Sequence, residues 1–157
     1  MNLVPEDLGG EYLLLMEFSL EDLRAEMEPE MIELVQSANA RVFGSPEGED
    51  AVMSFVISLE TVEAAEEYFL TELEDLEAEV QESQPGLTFE ELPAPDLGDE
   101  SILVGATIEE QGRTIEVYIL AIRKSNVLGT VMIVGPKGTF DETMVHVIGG
   151  KLAARFE

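Results

Sequence analysis

RTIEVYILAIRKSNVLGTVMIVGP, residues 113–136, decides the fold class of this chain. Residues 114–122 and 127–134 are two runs rich in Ile, Val and Leu, and Lys124-Ser125-Asn126 lies between them. A spacer this short cannot carry a parallel crossover, so the runs are read as strands of an antiparallel hairpin. Adjacent strand residues point to opposite faces, so Arg123 and Lys124 part company there. We expect the hairpin at or near a sheet edge. One cation should pair with an acid of the neighbouring strand or connector, Asp99 or Glu100, while the other reaches solvent. A second reading makes Arg123 and Lys124 a cationic recognition spot.

Working outward, residues 101–109 form a further strand joined through Glu110-Gln111-Gly112. Before it, residues 92–99 are a connector too rich in proline for a central strand, with a short strand expected at 87–89. Residues 61–82 give the clearest helix: Val62, Ala65, Phe69, Leu73, Leu76 and Val80 recur at steps of three and four, with acids on the other faces. Residues 41–43 and 51–59 read as strands flanking the turn at 44–48. In the second, Met53, Phe55, Ile57 and Leu59 share one face and Val52, Ser54, Val56 and Ser58 the other, and one face is expected to be core. Ser19 with Asp22 resembles a capping box. Leu20, Leu23, Met27, Met31, Leu34, Val35 and Ala38 follow at near-helical spacing, interrupted by Pro29. Asp7-Leu8-Gly9-Gly10 reads as a turn. Residues 141–156 suit a closing helix despite Gly149-Gly150. The order of elements predicts one α+β domain over residues 1–157, an antiparallel β-sheet packed against helices.

The charge is uneven. Residues 1–112 hold 30 acids and 2 bases, whereas residues 113–157 hold 4 acids and 6 bases. With a net charge of −26 such a surface repels phosphate backbones and anionic lipids, so neither nucleic acid nor a membrane surface is the expected partner. A hydrophobic content of 45% separates the chain from disordered acidic tails. Adaptation to high salt, where the Debye length is about 3 Å at 1 M, is the leading explanation of the acidity. Recognition of a basic partner, a divalent-cation role and nucleic-acid mimicry follow it. The chain has no cysteine, which excludes disulfides and thiolate chemistry. The first residues show neither a basic leader nor an apolar run long enough to span a bilayer, so no signal peptide or membrane span is expected in them; a trimmed secreted domain would look the same.

Little in the sequence points to catalysis. His146 is the only histidine, and the paper triple Ser125, His146 and Asp99 lacks a nucleophile elbow. Residues 135–139 lack the spaced glycines of a phosphate loop. Asp96, Asp99 and Glu100 are the candidate metal ligands, the one acidic cluster in a rigid loop, although the alternating acids of a calcium loop are missing. No cofactor is implied beyond weak binding of a divalent cation at those residues.

Leu92-Pro93 followed by Leu97-Gly98-Asp99-Glu100-Ser101, the turn Arg123-Lys124-Ser125-Asn126, and the ending Leu152-Ala153 with Arg155-Phe156 together resemble an uncharacterised bacterial family of secreted or lipoprotein-associated domains. That family is similar in organisation to the PsbP/Mog1-like fold. Its pattern has glycine where this chain has Ser125, and an alanine-rich run where this chain has Gly149-Gly150. The resemblance implies binding or scaffolding rather than turnover. The sequence is therefore read as a non-enzymatic accessory or protein-binding domain, extracytoplasmic and from a salt-adapted organism, whose partner is a protein or a cell-envelope component. Two alternatives stand beside it: a cytoplasmic acidic protein recognising a basic protein partner, and a hydrolase with a buried catalytic carboxylate.

Overall fold

The computed structural model describes residues 1–9 and 11–156. Seven strands, β1 (Leu13–Ser19), β2 (Val35–Gly44), β3 (Ala51–Leu59), β4 (Glu90–Leu92), β5 (Glu100–Glu110), β6 (Arg113–Lys124) and β7 (Val127–Pro136), form one antiparallel sheet. Its order is β1-β2-β3-β7-β6-β5-β4. Four helices accompany it: α1 (Leu20–Leu23), α2 (Pro29–Leu34), α3 (Val62–Ser83) and α4 (Glu142–Ala153). The protein is thus α+β, an antiparallel sheet with helices on both faces.

The opening hairpin is β6–β7, and it lies in the middle of the sheet rather than near an edge. Both faces of it are consequently core, which is why its apolar runs are almost continuous. Leu120, Ile122, Val131 and Ile133 pack under α4 with Val145, Ile148 and Leu152. Val117, Ile119, Ala121 and Leu128 lie on the opposite face with α3 residues Ala65, Phe69 and Leu73. The same holds for β3, where a single core face was expected. Val52 and Val56 join the α4 side and Ile57 and Leu59 the α3 side. Ser54 tolerates burial because Asn2 supplies hydrogen-bond partners to its hydroxyl and carbonyl.

Val35 and Ala38 belong to β2 rather than to a helix. A register shift between Val35 and Ser37 places residues three apart on one buried face, so a bulged strand imitates the spacing of a helix. Pro29 opens α2, and Ser19 with Asp22 caps α1 as the capping pattern predicts. Strand β4 falls at Glu90–Leu92, beyond the expected 87–89. At the N-terminus a 3-10 turn, Pro5–Leu8, precedes Gly9, and Gly10 lies outside the described residues.

Two glycines are explained by close approach. A Cβ on Gly149 would collide with Leu120, so the glycine that weakens α4 locally also lets it sit down on β6. Gly98 has φ +66° and abuts the Arg123 carbonyl. The β6–β7 turn has a positive φ, 56°, at Ser125 but not at Asn126, the φ pattern of a type II′ turn, whose first position favours glycine. Replacing Ser125 by Gly should therefore stabilise the protein by about 0.5–1 kcal/mol. Urea unfolding checks this, and an unchanged or lower midpoint would show that the turn is unstrained.

Candidate functional site

Arg123 emerges from β6 on the face covered by α3 and is only 6% exposed. Its Nε donates to Glu100 Oε2 at 2.7 Å, and its terminal nitrogens lie 3.6 Å from Asp99 Oδ2 and 3.5 Å from Glu66 Oε1 of α3. Asp99 also accepts the Ser125 N–H at 2.6 Å, while the Asp99 N–H donates to the Arg123 carbonyl at 2.7 Å. The expected pairing with the connector acids is present, and α3 adds a third carboxylate. Lys124 points the other way, exposed, and donates to the Phe156 carbonyl at 3.3 Å. Arg123 and Lys124 therefore form no joint surface spot.

Asp99 and Glu100 direct oxygens to Arg123, and Asp96 makes no ion pair among the described residues. A cation bound by these acids would compete with the guanidinium. Among the described residues, no group of three or more His, Cys, Asp or Glu could hold a metal ion. His146 Nε2 lies 3.0 Å from the Pro93 carbonyl, and the Asp99 carboxylate is engaged by Ser125 N–H and Arg123, so the paper triple is not assembled.

A concavity of about 600 Å³ lies elsewhere, between the α1–α2 segment and α3. Met27, Met31, Leu34, Ala64 and Tyr68 make its apolar floor. Glu26, Glu28 and Glu30 line it from one side, Glu67 and Asp75 from the other, and none of its lining residues is basic. Among the described residues, none of these five acids enters a salt bridge. Pro29 sets the bend that brings Met27 and Met31 over α3, and the Thr61 hydroxyl, accepting the Ala64 N–H at 3.1 Å, fixes the start of the opposite wall. Methionine floors adapt to varied apolar shapes. Met27 and Met31 pack on the core beneath and line the groove above.

Glu72 is a residue the sequence analysis missed. It sits on the sheet side of α3, and burial pushes its carboxyl up to about 7, with the Thr130 hydroxyl opposing and the Asp75 charge adding to the rise. Tyr68 is raised by its burial first, then by Glu72 and Asp75. A carboxyl with a raised pKa is what the hydrolase alternative asks for, but Glu72 lies against Thr130 beneath α3 and does not line the groove.

Neither a family model nor a curated protein matches the sequence. The fold is shared with the extracellular domain of PknH from Mycobacterium tuberculosis, at a TM-score of 0.66 and 14% identity over 98% of this chain and 91% of that one. At that identity the likeness is one of fold. Among the described residues, no helix is long and apolar enough to cross a membrane.

Because Glu72 binds its proton more tightly folded than unfolded, its contribution to stability is present below the ordinary carboxylate range. It is lost as pH rises toward about 7. Between pH 5 and pH 8 the wild type should lose stability more steeply than Glu72→Gln, which should be the more stable of the two at pH 8, by on the order of 1–2 kcal/mol. Parallel slopes in urea titrations across that range would contradict the assignment.

Proposed function

We propose that the protein is a single-domain, non-enzymatic binding module working outside the cytoplasm, and that the groove between α1–α2 and α3 takes a basic, partly apolar segment of a protein or cell-envelope partner. The observation that carries this reading is the combination of a methionine floor with five carboxylates that no basic side chain neutralises. Such a site attracts Lys or Arg through the rim and holds apolar side chains on the floor. The extracytoplasmic placement is supported by the fold shared with an extracellular domain. PsbP/Mog1-like kinship is part of the same proposal and is supported by the motifs at residues 92–101 and 123–126.

We also read the acid-rich surface as suited to high salt. At molar salt only contact ion pairs survive screening, so the floor supplies most of the affinity and the rim supplies orientation.

A fluorescent amphipathic Lys/Leu peptide, followed by anisotropy at low and at molar NaCl, tests the groove. Glu28→Lys with Glu67→Lys should weaken binding by about tenfold or more, whereas Glu47→Lys with Glu49→Lys, in the β2–β3 turn, should change it less than about twofold. Equal losses from both pairs would mean diffuse attraction to a polyanion, and the groove would have no special standing.

A further inference from the structure

The edge strand β1 carries an apolar surface that the groove does not use. All seven of its residues are exposed, with Leu13 at 58%, Leu15 at 59% and Met16 at 51%, a run of adjacent apolar side chains rather than scattered single ones. The strand pairs with β2 on one side, and among the described residues no strand borders its other side. A register shift between Leu14 and Met16 marks a bulge, and the Leu15 side chain lies over Gly44, where an added Cβ would be 2.7 Å from it. Met16 pairs with Val42 and Phe18 with Ala40, and Val42 pairs in turn with Met53 of β3. Paired residues share a face, and these alternate with Phe43, which packs on the α4 side. Leu15, Met16, Phe18, Val42 and Met53 therefore form a plateau on the face that carries α3. That helix packs over β3, β7 and β6, and α1 packs against β1 and β2, yet Leu15 and Met16 stay more than half exposed.

The charge of the strand is equally telling. Charge is a common guard of edge strands, yet residues 13–19 contain one acid, Glu17, which pairs with Arg41 at 2.7 Å. In a chain of net charge −26 this edge is neutral. A basic partner is drawn to the acids of the groove, whereas a like-charged molecule can approach closely only where charge is absent. Antiparallel pairing also makes an edge strand its own complement. About a two-fold axis at Met16 the open backbone groups of one β1 meet those of the other, and Met16 stands opposite itself.

We infer that β1 is the seam of a homodimer, in which two sheets join edge to edge and the plateaus of the two copies form one apolar surface. Because screening weakens repulsion between the acidic bodies, the dimer strengthens with salt.

Sedimentation of the full chain at low and molar NaCl should show a dimer whose dissociation constant falls by about tenfold or more between the two. Leu15→Lys and Phe18→Lys should each give a monomer with an unchanged far-UV spectrum. As the chain has no cysteine, Met16→Cys should form a disulfide-linked dimer on mild oxidation, since facing residues of an antiparallel pair stand about 4.5–5.5 Å apart at Cα. Leu70→Cys, equally exposed but on α3, should not. A monomer at every concentration in molar salt would overturn the inference and leave the plateau to a dissimilar partner. So would a dimer indifferent to both lysines, or equal crosslinking at residues 16 and 70.

Discussion

A buried guanidinium holds this fold together where its acids would otherwise drive it apart. Arg123 is a charged side chain only 6% exposed. It gathers carboxylates from the connector, Asp99, from the start of β5, Glu100, and from α3, Glu66. Desolvating a cation is costly unless its donors are met, and the planar fork of arginine can address several oxygens at once where lysine cannot. The three acids remain about half exposed, so their own desolvation is slight while the cation gains from all of them. The arrangement ties α3 to the central hairpin, and α3 is also one wall of the groove.

Much of the architecture could be read from local pattern. The β5–β6 and β6–β7 hairpins follow from runs of β-branched residues around turns too short for a crossover, and α3 from a stripe at steps of three and four. The pairing of Arg123 with connector acids was legible from adjacency and alternation. What escaped depends on non-local pairing. Val35 and Ala38 mimic a helix because a bulge restores the face that alternation would have changed. The central place of β6–β7 is set by β3 pairing with β7, across a long separation in sequence. The groove joins residues near 30 to residues near 67, which no local window unites. Glu72 did leave a signal. It stands three residues after Phe69 and four before Leu76, on the apolar stripe, but an acid-rich helix hides one more acid.

The two candidate surfaces divide the chemistry of the molecule. The groove is acidic above and apolar below, and among the described residues its acids enter no salt bridge. The β1 edge is apolar and neutral. The raised pKa of Glu72 is explained by its place between α3 and the sheet, where it meets Thr130. Acidity also has different consequences at different depths: at the surface salt screens it, whereas at Arg123 the cation is shielded from solvent and its contacts persist.

The most direct test of this account is the unfolding free energy of wild type and Arg123→Gln, measured in urea at low and at molar NaCl. We predict a loss of about 2–4 kcal/mol at both, because the pairing is buried on the arginine side and salt reaches it poorly. A loss below about 0.5 kcal/mol, the size of an ordinary surface substitution, or a loss that vanishes in molar salt, would place Arg123 among ordinary surface ion pairs. The fold would then rest on its apolar layers alone.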